Sequence, residues 1–152
     1  MVEEGKNAPG FSLPNADGEI INLSDFKGKS VVIYFYPKDN TPGCTKQACG
    51  FRDASEEYAL INAVVIGISP DNEASHQKFR DKFDLPFLLL ADPDLQAINA
   101  YGVWKEKNMY GKKYMGVERS TFIVDKDGIV AKIIRKVKVD GHVESVLSTL
   151  SE

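Results

Sequence analysis

The hydrophobic positions of this chain form short apolar runs that alternate with helical stripes, a pattern typical of α/β proteins. Residues 31–36 and 63–69 are apolar at nearly every position, as expected of strands that are covered on both faces in a parallel sheet. Between them, residues 44–60 place apolar and small side chains at spacings of three and four, which predicts a helix. Together the three segments predict a right-handed βαβ unit.

The rest of the chain predicts further strands and helices around that unit. Three segments have a helical period: residues 72–83, 94–101 and 141–150. Short apolar runs joined by turn residues predict two hairpins and one short strand: residues 11–23, 121–135 and 87–90. Residues 24–28 predict a turn. Residues 102–117 lack a regular period, so we expect a long loop that either takes part in function or covers one end of the sheet.

One cysteine lies where the predicted βαβ unit passes from strand to helix. Thr41, Pro42 and Gly43 predict a turn, so Cys44 falls in the first turn of the following helix. Free backbone N–H groups and the positive end of the helix dipole favour an anion there. A free cysteine is only roughly 10% ionised near neutrality, so this placement can raise the thiolate concentration about tenfold. The alternative is a buried, inert cysteine that serves as a small hydrophobic residue.

The second cysteine, Cys49, follows on the same predicted helix. Ideal helix geometry separates the Cα atoms of Cys44 and Cys49 by about 8.6 Å, whereas a disulfide needs them within about 7 Å. The two are therefore either unrelated thiols or a redox couple that pairs after local unfolding. Gly50 is a poor helix residue, and it lowers the cost of unwinding that turn.

Several sequence motifs around the cysteines resemble those of a known protein family. Pro37, Thr41 and Cys44 have the Pro-x-x-x-Thr-x-x-Cys spacing of the peroxiredoxins. The longer string at residues 34–53 resembles the bacterioferritin comigratory protein (PrxQ) subfamily, and the similarity extends over essentially the whole chain. The resemblance implies a thioredoxin-like fold, in which helices flank a central mixed β-sheet and an N-terminal β-hairpin is added.

The resemblance also implies an activity. In that family the cysteine that matches Cys44 is peroxidatic, because it attacks a hydroperoxide and becomes a sulfenic acid. A second cysteine at the position of Cys49 resolves that acid as an intramolecular disulfide. The implied enzyme is a thioredoxin-dependent peroxiredoxin that reduces hydrogen peroxide and organic hydroperoxides in antioxidant defence. It needs no cofactor, and an external dithiol such as thioredoxin recycles it.

The reaction needs hydrogen-bond donors where charge develops on the departing oxygen. The Thr41 hydroxyl and the backbone N–H of Gly43 can supply them, and Pro37 can wall the pocket without adding a competing donor. We expect Arg119 to be the cation beside the thiolate, because residues 119–122 resemble the arginine-bearing strand of the family. The alternatives are an ordinary surface arginine and residues that only form a turn.

Length, composition and charge narrow the classes of function. A chain of 152 residues with 43% hydrophobic residues predicts one domain, residues 1–152, with a sizeable core. A net charge of −3 gives no general attraction for nucleic acid. The first residues show no basic and apolar leader, and no apolar run is long enough to span a membrane. We therefore expect a cytoplasmic protein with neither nucleic-acid nor membrane partners.

The sequence argues against a bound metal. Its two histidines, His76 and His142, fall in separate predicted helices, and no Cys-x-x-Cys pair accompanies them. We expect His76 on a solvent-exposed helix face and His142 beside the start of the last helix, without a role in the site. Two neighbouring cysteines in such a chain favour redox chemistry.

Two other classes of function remain open at this point. A thiol–disulfide exchange enzyme of thioredoxin type is disfavoured by the absence of Cys-x-x-Cys, and it would reduce insulin disulfides without consuming peroxide. A non-catalytic binding or chaperone module would keep its activity after alkylation of Cys44. The resemblance favours a monomer over a dimer.

Overall fold

The structure, a computed structural model, describes residues 2–150 and alternates strands with helices. The strands are β1 (Ser12–Pro14), β2 (Ile20–Asn22), β3 (Ser30–Phe35), β4 (Ala63–Ser69), β5 (Leu88–Ala91), β6 (Trp104–Met109), β7 (Lys112–Val117), β8 (Ser120–Val124) and β9 (Val130–Ile134). The α-helices are α1 (Pro42–Asp53), α2 (Ser55–Leu60), α3 (Glu73–Phe83), α4 (Gln96–Ala100) and α5 (His142–Leu150), and Leu23–Phe26 form a short 3-10 helix. Within the described range, no helix combines the length and apolar character needed to cross a membrane.

Five strands make a mixed central sheet, in the order β5-β4-β3-β8-β9. Strands β3, β4 and β5 run parallel, whereas β8 runs antiparallel to both of its neighbours, β3 and β9. A parallel pair needs a crossover connection, and α1 and α2 supply it between β3 and β4. The predicted strand–helix–strand unit and the central mixed sheet are therefore confirmed.

Strand β3 separates two hydrophobic cores. Its side chains alternate between them: Val31, Ile33 and Phe35 belong to the first core, and Val32 and Tyr34 belong to the second. All five are at most 2% exposed, which explains why this segment is apolar throughout. The second core also contains Cys44, so the thiol is part of the packing on one face of the sheet.

The predicted helix over residues 44–60 is in fact two helices. Ala54 separates α1 from α2 with turn geometry, at φ −97° and ψ 7°. Helical bonding continues through the break, since Ala54 N donates to Gly50 O at 3.2 Å. In α2, Tyr58 is buried and its hydroxyl donates to Val143 O at 2.8 Å. A change of direction over one residue leaves the apolar spacing almost unaltered, so the sequence pattern does not reveal it.

Two hairpins lie outside the central sheet. Strands β1 and β2 pair antiparallel and confirm the hairpin predicted at residues 11–23. The second hairpin corrects a prediction, because residues 102–117 are not a loop but contain the antiparallel strands β6 and β7. Tyr110 and Gly111 form its two-residue turn with positive φ angles. Most side chains of β6 and β7 are exposed on both faces, so no apolar alternation marks these strands in the sequence.

Both histidines are buried, which corrects the expectation that His76 lies on a solvent-exposed helix face. His142 begins α5, as expected, but it is not a surface residue. His76 of α3 is 0% exposed and His142 of α5 is 6% exposed. His76 shares the inward face of α3 with Phe79, which lies three residues later. His142 Nε2 lies 2.8 Å from Thr121 Oγ1, so this histidine connects α5 to β8. Burial lowers the pKa of His142, and the positive charge of Arg119 lowers it further.

Candidate active site

Two strand ends bring the predicted site residues together. Phe35, the last residue of β3, pairs with Ser120, the first residue of β8. Arg119 directly precedes β8, and a short loop leads from β3 to α1, so both approach the same edge of the sheet. The carboxyl ends of parallel strands are where α/β sheets hold their sites. Cys44 and Arg119 meet at this edge.

The Cys44 sulfur and the Arg119 guanidinium are in direct contact. Arg119 Nη2 donates to Cys44 Sγ at 3.1 Å. Cys44 is 1% exposed and Arg119 is half-buried, so salt and water screen this pair less than they would a surface pair. A guanidinium that donates to sulfur favours the thiolate over the thiol. The structure thus brings together the cysteine and the cation that the sequence analysis singled out.

Gln47 also holds Arg119, a contact that the sequence did not predict. Arg119 Nη1 donates to Gln47 Oε1 at 2.5 Å. Because the amide oxygen faces that donor, the Nε2 group points elsewhere, and it is buried without a hydrogen-bond partner within residues 2–150. Gln47 lies three residues after Cys44 on the buried face of α1, and that spacing could have identified it. A neutral amide orients the guanidinium without neutralising its charge.

Cys44 lies in the first turn of α1, as predicted. Thr45 N donates to Thr41 O at 2.8 Å, so the N–H groups of Gly43 and Cys44 come before the first helical bond and have no acceptor within the helix. An added Cβ on Gly43 would lie 3.3 Å from Arg119 Nη2. The glycine therefore leaves room for the guanidinium, which is a role beyond the donor predicted for it.

Thr41 and Pro37 lie in the loop between β3 and α1. Thr41 Oγ1 donates to Lys38 O at 2.9 Å, so in this state the hydroxyl proton points into the loop and not toward Cys44. The hydroxyl oxygen keeps its capacity to accept. Pro37 is half-buried next to the end of the strand. Of the predicted side chains, the structure places Arg119 in hydrogen-bond contact with the sulfur, and Thr41 and Pro37 in the adjoining loop.

Cys49 lies on α1 as well, on a different side of the helix. Both cysteines are free thiols, and Cys49 is the more exposed of the two. Since α1 is helical throughout, ideal geometry keeps their Cα atoms about 8.6 Å apart. A bond between the sulfurs therefore requires this part of α1 to unwind. Gly50 has a packing role next to it, because an added Cβ would lie 2.9 Å from Val143 Cγ2 of α5.

The β6–β7 hairpin contributes a second positive charge to the surroundings of Cys44. Lys107 of β6 is half-buried, and an added Cβ on Gly116 across the hairpin would lie 3.4 Å from Lys107 Cδ. Burial lowers the pKa of Lys107, the charge of Arg119 lowers it further, and the charge of Cys44 raises it. The segment that was expected to be a loop therefore influences the electrostatics of the site.

A buried polar cluster lies beside the loop that leads to Cys44. Ligand-type atoms of Asp39, Asp71 and His76 all lie within 4.8 Å of one another. His76 therefore lies beside two other residues of metal-ligand type, which its place in a separate predicted helix did not indicate. His76 Nδ1 and Asp39 Oδ2 lie 2.7 Å apart, which suits a shared proton and is too short for two ligands of one metal ion. That the protein binds no metal stays a prediction.

Comparison with known proteins identifies the family. Residues 5–133 match the model of the AhpC/TSA family. Peroxiredoxin Bcp of Bacillus subtilis is 52% identical over 151 residues, which cover 99% of this chain and 96% of that protein. Peroxiredoxin Bcp of Escherichia coli is 44% identical over 151 residues, which cover 99% of this chain and 97% of that protein.

Solved structures agree with the fold. Xanthomonas campestris bacterioferritin comigratory protein, solved to explain its alkyl peroxide reduction activity, has a TM-score of 0.91, 38% identity and 98% coverage of both chains. A cysteine-to-serine mutant of Xylella fastidiosa PrxQ has a TM-score of 0.94 and 35% identity, and the match covers 99% of this chain and 96% of that one. The predicted thioredoxin-like fold is thereby confirmed. By family model, sequence identity and fold, the chain belongs to the AhpC/TSA family, among its Bcp/PrxQ peroxiredoxins.

Proposed function

We propose that this thiol peroxidase reduces hydrogen peroxide and organic hydroperoxides with Cys44 as the attacking thiolate and Cys49 as the resolving thiol. The observation that carries the proposal is the hydrogen bond of 3.1 Å from Arg119 Nη2 to Cys44 Sγ in the first turn of α1. It supports the choice of Cys44 as the nucleophile, because a cation and a helix N-terminus both favour the anionic form of a thiol.

In the first step, the Cys44 thiolate attacks the distal oxygen of the peroxide. The O–O bond breaks and the sulfur, now bonded to that oxygen, is oxidised to a sulfenic acid. The other oxygen leaves as hydroxide or alkoxide, takes up a proton and becomes water or an alcohol. Arg119 supports this step because its guanidinium contacts the attacking sulfur at 3.1 Å.

The departing oxygen needs donors at the place where its charge develops. The guanidinium of Arg119 contacts the sulfur, and the N–H groups of Gly43 and Cys44 precede the first hydrogen bond of α1, from Thr45 N to Thr41 O. Both observations support the use of these donors in the transition state. Rotation of the Thr41 hydroxyl away from Lys38 O would add a donor or acceptor for the peroxide. Pro37 has no N–H, so it adds no competing donor to the pocket.

In the second step, Cys49 resolves the sulfenic acid. The Cys49 sulfur bonds to the Cys44 sulfur, the S–O bond breaks and the hydroxyl leaves as water with the thiol proton. The intervening turn of α1 unwinds first, because a disulfide needs Cα atoms within about 7 Å. Slow unwinding carries a hazard, since excess peroxide then oxidises the Cys44 sulfenic acid to sulfinic acid.

Recycling needs an external dithiol, which gives two electrons and two protons to the disulfide and becomes a disulfide itself. We propose thioredoxin or a similar protein for this step. We also propose a cytoplasmic location, because a cysteine pair that cycles between thiol and disulfide suits a compartment where thiols are kept reduced. A monomer is proposed over a dimer, because both cysteines of the cycle lie in one helix of one chain.

Stoichiometric peroxide titration with mass spectrometry tests the proposal. We expect the wild type to form a Cys44–Cys49 bridge and Cys49→Ser to accumulate a sulfenic acid that dimedone traps. Cys44→Ser should lose peroxide consumption. Cys49→Ser is the matched control, because it makes the same substitution on the same helix and should still consume one equivalent of peroxide. Peroxide turnover retained by Cys44→Ser would show that another group is the nucleophile.

A further inference from the structure

The carboxylate of Asp39, in the loop between β3 and α1, is held by three donors. Tyr36 Oη donates to Asp39 Oδ1 at 2.6 Å, and Ser75 Oγ donates to Asp39 Oδ2 at 2.8 Å. The third partner, His76 Nδ1, lies 2.7 Å from Asp39 Oδ2. Asp39 is 7% exposed and His76 is 0% exposed. The mechanism described above uses none of these side chains.

The hydrogen-bond partners of His76 determine where its protons lie. Its Nε2 is 2.9 Å from Leu90 O, and a carbonyl only accepts, so Nε2 carries a proton. Its Nδ1 lies 2.7 Å from Asp39 Oδ2 and forms a buried hydrogen bond with that carboxyl group. His76 therefore connects Asp39 to the backbone of β5.

Asp39 is also held through its backbone. Asp39 N donates to Asp71 Oδ2 at 2.8 Å, and the same oxygen accepts from Ser69 Oγ at 2.7 Å. Ser69 ends β4, and Leu90, which accepts from His76, lies in β5. Asp39 is thus attached to α3 and to two strands of the central sheet. We refer to Asp39 with Tyr36, Ser75 and His76 as the Asp39 clamp.

The Asp39 clamp lies at one end of the segment that has to unwind. Next to it, Asn40 has a φ of +59°, and α1 begins at Pro42. At the other end, Phe51 is 0% exposed and packs in the core. Residues 40–50 are therefore a short segment between two anchored ends. Anchored ends limit the conformational entropy that the segment gains when it unwinds, and so they favour the helix.

We propose that the Asp39 clamp sets the balance between the folded and the unwound form of α1. In the folded form Cys44 lies beside Arg119 and reacts with peroxide, and in the unwound form Cys44 reaches Cys49. The clamp favours the folded form, so it slows disulfide formation and prolongs the exposure of the sulfenic acid to peroxide. The inference rests on the proposed function, and it makes the members of the clamp positioning residues.

Single-turnover kinetics of Tyr36→Phe and Ser75→Ala test the clamp. Each substitution removes one donor to Asp39 and leaves the hydrogen bond with His76 in place. The loss of one hydrogen bond should shift the folded–unwound equilibrium about fivefold, so the sulfenic acid should convert to disulfide about fivefold faster. Attack on peroxide should slow by less than about twofold, because the folded form stays in the majority. The yield of sulfinic acid at excess peroxide should fall accordingly.

Tyr101→Phe is the matched control. Tyr101 is as buried as Tyr36, and its hydroxyl donates to Pro9 O at 2.6 Å, but it belongs to the core on the other face of the sheet. We expect a similar loss of global stability with an unchanged ratio of disulfide to sulfinic acid. An unchanged ratio in Tyr36→Phe and Ser75→Ala would overturn the proposal. An equal shift in Tyr101→Phe would overturn it too, because general destabilisation would then explain the effect.

Nitrogen NMR of the His76 ring tests the hydrogen bonds of the clamp separately. The proton on Nε2 should exchange slowly with water in the wild type, because Nε2 lies 2.9 Å from Leu90 O in a fully buried site. A ring without a proton on Nε2 would contradict this arrangement. Failure of the clamp can be distinguished from failure of the proposed function, because Cys44→Ser tests the nucleophile without changing any member of the clamp.

Discussion

At the scale of single residues, the proposed chemistry depends on the two hydrogen bonds that the Arg119 guanidinium donates. Arg119 donates from one nitrogen to Cys44 and from the other to Gln47, both on α1. Within residues 2–150 its side chain pairs with no carboxylate. In the proposed mechanism its positive charge is therefore available to the thiolate and to the departing oxygen, while the amide fixes its orientation.

Gln47→Glu tests whether the charge of Arg119 must stay unneutralised. We expect the attack of Cys44 on peroxide to slow about tenfold at neutral pH, because a carboxylate would neutralise Arg119 and repel the thiolate. The difference from wild type should shrink at alkaline pH, where the thiolate forms without assistance. Stopped-flow kinetics measure the rate, and Gln77→Glu, on the exposed face of α3, is the control for the added charge. A wild-type rate in Gln47→Glu would mean that the charge of Arg119 is not used.

His142 gives protein stability a dependence on pH. Burial lowers the pKa of His142 in the folded protein below its ordinary value of 6.5. When the pH falls, the imidazole is therefore protonated in the unfolded chain at a higher pH than in the folded protein. The contribution of His142 to the free energy of unfolding is complete above pH 6.5 and declines as the pH falls below that value. Denaturant unfolding across this range should show the decline, and His142→Gln should flatten it. The same slope in the variant would assign the decline to other groups.

At the scale of elements, α1 has to satisfy two opposing requirements. In the proposed cycle, its first turn must be formed to bring Cys44 to Arg119, and the helix must open before Cys49 can react with Cys44. Gly50 has two effects on α1. It weakens the helix, and it leaves room for Val143 of α5, because an added Cβ would lie 2.9 Å from Val143 Cγ2. The two roles can be separated by substitution.

Gly50→Ala should destabilise the protein by about 1–3 kcal/mol, because the added methyl group collides with Val143. In Gly50→Ala/Val143→Ala the collision is relieved, and the alanine should favour the helix by about 1 kcal/mol. Disulfide formation should then be about fivefold slower than in Val143→Ala alone. Equilibrium unfolding and single-turnover kinetics measure the two effects. Equal rates in the double and the single variant would show that opening of α1 does not limit the reaction.

The sequence predicted those elements in which the pattern of apolar side chains matches their burial. β3 and β4 are covered on both faces, so their apolar runs were unambiguous, and the turn before Cys44 placed the thiol at a helix start. The hairpin at residues 102–117 was missed because its strands are exposed on both faces. His76 was missed because polar neighbours surround it in the sequence, although its spacing from Phe79 marks a buried stripe. Such positions depend on tertiary contacts.

At the scale of the whole molecule, the two cores would be affected differently by the proposed cycle. The core that contains Cys44 also contains Ala48 and Phe51 of α1, whereas no residue of α1 is among those that form the other core. Unwinding of α1 therefore disturbs one face of the sheet and leaves the other packed. That residues 1–152 form a single domain stays a prediction, and residues 1, 151 and 152 lie outside the described range.

Amide hydrogen exchange, compared between the reduced and the disulfide form, tests the need for unwinding most directly. We predict that the amides of residues 45–50 exchange much faster once Cys44 and Cys49 are bonded, while those of β3, β8 and α4 keep their protection. If the amides of α1 are as protected in the disulfide form as in the reduced form, the helix does not open and the proposed cycle is contradicted.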